Sequence, residues 1–159
     1  MDFDVLRAQL IAQLEGGQAY TPVEKIVRSF PLELAGERAG SIGHTAWQLL
    51  DHLRIAQWDI LQFTLDPEHV TPHWPDEHWP KTEAPPNESS WAGVLGAFLG
   101  ELESVKDLAR NPETDLAARI PHGTGQTYLR EILLVADHNA YHLGQLMQLQ
   151  RALERERSR

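Results

Sequence analysis

Apolar residues recur at every third or fourth position along most of the chain, a spacing that predicts amphipathic helices. The first predicted helix covers residues 2–15, with Asp2 as its cap, and the glycine pair at 16–17 ends it. A short helix should follow, because residues 21–24 read Thr-Pro-Val-Glu, a capping box with proline at the first helical position. Pro31 then ends this short helix.

Three longer helices are predicted further along the chain, at about residues 41–65, 89–110 and 126–155. Ser41 is the expected cap of the first of them. The residues expected to face inward on the last helix are Leu129, Ile132, Leu133, Ala136, Ala140, Leu143 and Met147. No segment alternates between apolar and polar residues with the period of two that a half-buried strand shows. The pattern therefore predicts an all-α fold, an antiparallel four-helix bundle with an additional short helix.

Residues 66–87 interrupt the helical pattern. This segment holds six prolines, three histidines and two Trp-Pro pairs. Proline at this density excludes the interior of a helix, and a long loop in a compact domain is usually functional or disordered. The tryptophans favour a loop that packs against the bundle, since disordered segments contain few aromatic residues.

Composition narrows the classes of partner. The length of 159 residues predicts one domain over residues 1–159, and we expect its charged end at about 153–159 to fray. With 14 basic and 23 acidic residues the net charge is −9, which repels phosphate backbones and anionic lipids. We therefore expect neither a nucleic acid nor a membrane as partner. We find no signal peptide and no apolar run long enough to span a bilayer, so the cytoplasm is the expected location.

The chain contains eight histidines and no cysteine. The absence of cysteine excludes disulfides, thiolate zinc sites and a cysteine nucleophile. His138 and His142 are four residues apart on the last predicted helix, which places their Cβ atoms about 5–6 Å apart on one face. Two such imidazoles can bind one metal ion, as in the HExxH helix, although no glutamate follows His138. The pair could equally bind nothing, but the middle of a bundle helix is buried, and buried imidazoles need partners.

A metal site needs at least a third ligand, and His52 is the best candidate. It lies in the middle of a predicted helix and is flanked by core leucines. His44, two turns earlier, ranks second, because the N-terminus of a helix disfavours a neighbouring cation. The other histidines are expected to be exposed or to cap helices, namely His69, His73, His78 and His122.

Several residues near these histidines are candidates for supporting roles. Gln48 and Gln145 each lie about one turn from a candidate ligand and could orient it. Asp51 and Asp137 point about 100° away from the adjacent ligand, so we expect solvated helix surface there. Tyr141 could donate a hydrogen bond to a substrate, but packing is the more common role. The proline-rich loop, with His73, Trp74, His78 and Trp79, could either roof the metal pocket or simply cover the end of the bundle.

Two segments resemble the signature helices of the DinB-like (DinB/YfiT) superfamily. Residues 44–53 read HTAWQLLDHL and residues 137–146 read DHNAYHLGQL. Each motif is short, but their pairing on the second and fourth long helices is much more specific, and the order of elements is similar along nearly the whole chain. The resemblance implies a four-helix bundle that binds one divalent metal ion through His52, His138 and His142. It also implies a homodimer and favours zinc or nickel, with iron or manganese as further candidates.

Three neutral imidazoles would leave coordination positions open to water or substrate, as in catalytic sites. A metal in such a site lowers the pKa of bound water and deprotonates a bound thiol. Two reactions are therefore expected: hydrolysis, or transfer of a thiolate to a small electrophilic molecule. The resemblance favours transfer, because it implies relatives that use low-molecular-weight bacterial thiols. Without cysteine, this chain would need such a thiol from outside.

Other readings of the histidines remain. The chain could be a non-enzymatic, metal-stabilised dimeric binding module, which a fourth protein ligand would favour and an open coordination position would disfavour. A carboxylate di-iron bundle needs paired Glu-x-x-His motifs, and the sequence contains none. A haem with two axial ligands is excluded for the pair at positions 138 and 142, since two histidines one turn apart cannot lie on opposite sides of the iron.

Overall fold

A computed structural model of the protein describes residues 3–40 and 42–159. The α-helices in the described residues are α1 Phe3–Glu15, α2 Val23–Ser29, α3 Ala46–Leu65, α4 Glu88–Arg110 and α5 Tyr128–Arg157, and a 3₁₀ turn follows α2 at Leu32–Leu34. The described ranges contain no β-strand, and Arg119 and Thr127 form an isolated antiparallel bridge. The predicted all-α fold is confirmed.

Four long helices surround one hydrophobic core, with α2 as the additional short helix. Helix α3 packs mainly against α4 and α5, and α1 packs against α4 and α5. The residues that are fully buried at the centre of this core include Leu49, Leu50, Leu53, Phe98, Leu143, Leu146 and Leu149. All of these side chains belong to α3, α4 and α5, and α1 adds the buried Leu10 and Leu14, so the packing of the four long helices agrees with the predicted four-helix bundle. No helix in the described residues is both long enough and apolar enough to cross a membrane.

Helix α3 begins at Ala46, about one turn later than predicted. Thr45 is its cap: the backbone N–H of Gln48 donates to Thr45 Oγ1, and the backbone N–H of Thr45 donates to Gln48 Oε1. This reciprocal capping box fixes the start of the helix. Ser41, the predicted cap, lies outside the described residues, as does Asp2, the predicted cap of α1.

Two other predictions about the helices are wrong. Helix α2 begins at Val23 with Pro22 in the cap position, and no side chain caps it, so residues 21–24 do not form a capping box. Leu133 is 46% exposed rather than buried. It lies about 100° around α5 from its buried neighbour Ile132, outside the inward stripe. Helix α5 continues to Arg157, while the single domain and the frayed end stay predictions.

The proline-rich loop at residues 66–87 connects α3 to α4 without an α-helix of its own. Two hydrogen bonds join the end of this loop to the start of α3. Thr45 Oγ1 donates to the Glu83 carbonyl over 2.6 Å, and Trp47 Nε1 donates to Thr82 Oγ1 over 3.0 Å. The expectation that the loop tryptophans pack holds for Trp79, which contacts the core, and fails for Trp74, which is 63% exposed.

Candidate metal centre

His52 of α3 and His138 and His142 of α5 lie together inside the bundle. The Nε2 atom of His52 lies 3.2 Å from Nε2 of His142 and 3.2 Å from Nε2 of His138. His52 and His142 are buried, and His138 is half-buried. These three form the one group of at least three histidine or acidic side chains in the described residues whose ligand atoms are close enough to hold a metal ion. We refer to them as the histidine cluster.

In two of these imidazoles, the hydrogen bond made by Nδ1, the ring nitrogen that points away from the cluster, determines which nitrogen carries the proton. His52 Nδ1 donates to the His78 carbonyl over 2.7 Å, and His142 Nδ1 donates to Gln145 Oε1 over 2.8 Å. A neutral imidazole has one N–H, so the Nε2 atoms of His52 and His142 each carry a lone pair. Two acceptors therefore face each other at 3.2 Å with no proton between them, an arrangement that a cation would stabilise.

Extra protons do not relieve this conflict near neutral pH. Burial lowers the pKa of His52 to about 4 and that of His138 to about 3, and the neighbouring imidazoles add to both shifts. Burial also lowers the pKa of His142, partly opposed by its hydrogen bond to Gln145. All three rings are neutral at pH 7, which is the form that binds metals.

Two separations among the three nitrogens match those between the ligands of a metal ion, and all three nitrogens lie within 4.8 Å of one another. Zinc binds histidine nitrogen at 2.0–2.1 Å, so two ligands of a tetrahedral site lie roughly 3.3 Å apart. The observed separations of 3.2 Å from His52 to the other two rings are close to this value. His138 Nδ1 is buried without a hydrogen-bond partner, so packing and the Nε2 contact with His52 orient this ring, whose centroid lies 5.0 Å from that of His52.

The proline-rich loop covers one side of the histidine cluster. The Trp79 ring stacks on His52, with centroids 3.8 Å apart and planes 5° from parallel. Trp79 also stacks on His44, with ring centroids 4.0 Å apart and planes 15° from parallel, and lies edge-on to His142 at 6.0 Å. Of the two roles left open for the loop, the structure therefore supports the roof over the cluster. His44, the alternative third ligand, is not a member of the cluster but stacks on Trp79.

Asp59 of α3, which sequence reasoning missed, anchors this loop. Its Oδ1 accepts a hydrogen bond of 2.7 Å from His69 Nε2, and its Oδ2 lies 3.6 Å from His78 Nε2. The side chains of His69 and His78 are only 6% and 9% exposed, so the expectation that they would be exposed is wrong. The available signal was the position of Asp59, seven residues or two turns after His52 and thus on the same face of the helix.

The remaining sequence candidates divide as follows. Gln145 contacts His142 as predicted, whereas Gln48 closes the α3 capping box instead of orienting His52.

The exposure of the remaining candidates agrees only in part with the prediction. Asp51 is 9% exposed and accepts a hydrogen bond from Arg54 Nε over 2.7 Å, so the expected solvated position is wrong. Tyr141 is 65% exposed, with its ring edge-on to His142 at 4.8 Å. The residues that are exposed as expected are His73, His122 and Asp137.

A second buried polar group, also missed from the sequence, lies beside the cluster and joins α3, α4 and α5. Asn139 Nδ2 donates to Gln57 Oε1 over 2.9 Å, and Gln57 Nε2 donates to the Phe98 carbonyl over 2.8 Å. Glu101 of α4 adjoins Gln57, and burial raises the pKa of its carboxyl to about 7. We call Gln57, Glu101 and Asn139 the amide network.

Comparison with known proteins agrees with this architecture. No curated protein and no solved structure matches the chain. The sequence model of the DinB superfamily matches residues 4–146, a range that includes all three residues of the histidine cluster. Together with the helical bundle and its paired histidine helices, this match over most of the chain establishes that the protein belongs to the DinB superfamily.

Proposed function

We propose that His52, His138 and His142 bind one divalent metal ion, zinc or nickel, and that the protein is a metal-dependent enzyme of the thiol S-transferase type. The observation that carries the proposal is the pair of facing lone pairs on His52 and His142, whose outer nitrogens both donate elsewhere. A divalent cation between these nitrogens would turn the repulsion into coordination.

The donor set supports a catalytic rather than a structural role. It contains three neutral nitrogens, and no fourth histidine or carboxylate of the described residues belongs to the group. Such a set leaves the charge of a divalent ion uncompensated and coordination positions open, which favours an anionic ligand such as a thiolate. When bound, the metal would supply the Lewis acidity that lowers the pKa of a thiol or of water.

The residues around the cluster have defined tasks under this proposal. The His78 carbonyl and Gln145 keep the Nε2 lone pairs of His52 and His142 directed at the metal position. Trp79 excludes water from one face of His52. Because the chain has no cysteine, the thiol would come from a low-molecular-weight compound, which fits the reducing cytoplasm as the location.

Hydrolysis of a small molecule is the second candidate function. Three histidine nitrogens with an open position are also the donor set of zinc sites that activate water. The two reactions differ in their nucleophile, so dependence on an added thiol distinguishes them. A dimeric binding module that uses the metal only as a structural clip would show neither reaction, and sedimentation of the metal-loaded protein tests the proposed homodimer.

Metal analysis of the purified protein tests the site. We expect about one zinc or nickel ion per chain in the wild type and a large loss in His142→Ala. The matched control is His122→Ala, because His122 is an exposed histidine that lies outside the cluster. Equal, sub-stoichiometric metal in the wild type and in His142→Ala would rule out the three-histidine site.

Assays of thiol conjugation test the reaction once metal binding is established. Several bacterial low-molecular-weight thiols are offered with a chromogenic electrophile, before and after metal removal by a chelator. We expect conjugation that requires both the thiol and the metal. Conjugation that persists in His142→Ala, or the absence of any activity with all thiols, would contradict the transferase proposal, and in the second case would favour the binding module.

A further inference from the structure

A cleft of about 560 Å³ lies beside the metal centre, between the segment that precedes α3 and the outer side of α5. Its volume is within the range of pockets that bind small molecules. None of the three residues of the histidine cluster lines it, but two of its lining residues touch His142. Gln145 accepts the hydrogen bond of His142 Nδ1, and the Tyr141 ring lies edge-on to the His142 ring.

The cleft presents polar groups that the rest of the described chain leaves available. His44, Tyr141, Gln145 and Gln148 line it, and apart from Gln145 Oε1 none of their side-chain polar atoms hydrogen-bonds another described residue. They are donors and acceptors within one concave surface, which is how small-molecule sites fix the orientation of a ligand. A ligand with hydroxyl or amide groups would match them.

The rest of the lining is apolar and uncharged. Ile42 and Leu49 supply aliphatic surface, and the exposed Tyr141 ring supplies a flat face. No lysine, arginine, aspartate or glutamate of the described residues lines the cleft. Because the chain also has a net charge of −9, the cleft offers a phosphate or carboxylate group no compensating charge.

We propose that this cleft binds an uncharged small molecule that has one apolar face and several hydroxyl or amide groups. A second step rests on the proposed function: the cleft binds the non-reacting part of the substrate, while the reacting end of the same substrate is bound at the metal centre. Gln145 and Tyr141 connect the two places, since both line the cleft and both contact His142. Binding energy from a remote part of a substrate is a common means of positioning its reacting end.

Titration with N-acetylglucosamine, followed by NMR of the labelled full-length protein, tests the cleft. This probe is neutral and has hydroxyl groups, an amide and an apolar ring face that can stack on Tyr141. We expect millimolar binding that shifts the amide signals of Gly43, Gly144 and Gln145, both with and without bound metal. Glucose 6-phosphate, a sugar with a phosphate charge, should bind at least tenfold more weakly.

The variant Gly144→Leu tests the location. A Cβ atom at Gly144 would meet no atom within 4 Å, so a leucine side chain can extend into the cleft, and leucine favours the helix over glycine. We expect at least a tenfold loss of probe affinity with unchanged metal content. Gly96→Leu is the matched control, because Gly96 is an exposed glycine in α4 that has equal space around it and lies outside the cleft.

Three outcomes would overturn the proposed cleft: no shift with the probe in the wild type, equal binding of glucose 6-phosphate, or unchanged probe binding by Gly144→Leu. Metal analysis of the same samples keeps this test separate from the test of the metal centre. If metal-free protein binds the probe and Gly144→Leu abolishes this binding, the cleft is supported whether or not the protein binds metal. If the protein binds no metal, only the assignment of the cleft to the substrate of a metal centre is removed.

Discussion

The histidine cluster and the Gln57–Asn139 pair of the amide network are two polar groups buried on the same pair of helices, α3 and α5, and their hydrogen bonds are arranged differently. In the amide network, Asn139 donates to Gln57, and Gln57 donates to the Phe98 carbonyl, so side-chain amides supply both donors and acceptors. In the histidine cluster, the N–H groups of His52 and His142 point outward, and their lone pairs face each other. The direction of the donors, rather than the depth of burial, therefore distinguishes the two groups, and only the facing lone pairs of the histidine cluster form an arrangement that a cation would stabilise.

Removal of a ligand should have the largest effect and should be confined to the histidine cluster. We expect His52→Ala to lower the affinity for zinc more than about 100-fold. Substitution of residues that only hydrogen-bond a metal ligand already lowers metal affinity about 10–100-fold, and the loss of a ligand should lower it further. Competition with a chromogenic chelator measures this affinity. His122→Ala should bind zinc like the wild type, and wild-type affinity in His52→Ala would exclude His52 as a ligand.

Loss of Gln57 should affect stability without affecting the metal. We expect Gln57→Leu to lower the free energy of unfolding by about 2 kcal/mol, because it leaves the buried Asn139 Nδ2 without its acceptor and also removes the hydrogen bond to the Phe98 carbonyl. Urea unfolding with and without a chelator measures this loss, and the value should be the same in both. Gln13→Leu, at an exposed position of α1, is the control. A loss that disappears on chelation would show that the two polar groups act as one.

Asp59→Asn should lower the affinity for zinc by roughly tenfold. Asp59 does not contact His52 directly, but it pairs with the ring of His78, whose carbonyl accepts the hydrogen bond of His52 Nδ1. The substitution replaces one carboxylate oxygen by an amide NH2 group and removes the negative charge, so the side chain can still accept from His69 but no longer presents an anion to His78. Chelator competition measures the affinity, and urea unfolding of the metal-free protein should change little. Asp137→Asn, at an exposed position next to His138, is the matched control. Unchanged zinc affinity in Asp59→Asn would contradict this positioning role.

The pH dependence of stability should have opposite signs in the two groups. The pKa values of His52 and His138 are lowered from 6.5 to about 4 and about 3, so the metal-free native state binds fewer protons than the unfolded state below pH 6.5. Acidification from pH 6.5 towards pH 4 should therefore lower the free energy of unfolding. The pKa of Glu101 is raised from 4.5 to about 7, so Glu101 should lower the free energy of unfolding as the pH rises from 4.5 to 7.

Glu101→Gln isolates the contribution of Glu101 to the pH dependence of the free energy of unfolding, which should be the smallest of these effects. The full pKa shift corresponds to about 3 kcal/mol, and solvent around the partly exposed carboxyl should reduce it to about 1 kcal/mol. Relative to the wild type, the variant should be about 1 kcal/mol more stable at pH 8 than at pH 5. Urea unfolding of metal-free protein at both values measures the difference, and a variant that tracks the wild type at both would show that the pKa of Glu101 is not raised.

The parts of the site that depend on helical spacing could be predicted from the sequence. The spacing of His138 and His142 predicts that they share a face of the helix, and Gln145 lies beside His142 for the same reason. His52 was selected by its position in a buried stripe and by family resemblance, and the structure brings it to the other two. That these residues bind metal stays a prediction, which the experiments above decide.

What the sequence alone determined is the set of helices, most of their buried stripes and the pairing of histidines along one of them, because each depends on residues within a few turns. What only the tertiary structure decided depends on contacts between distant segments. Thr45, rather than Ser41, caps α3 where its hydroxyl also donates to the carbonyl of Glu83, 38 residues away. The His52 ring is oriented by the His78 carbonyl, 26 residues later. Local propensity permits several caps and several ring orientations, and only the closure of the proline-rich loop onto α3 selects between them.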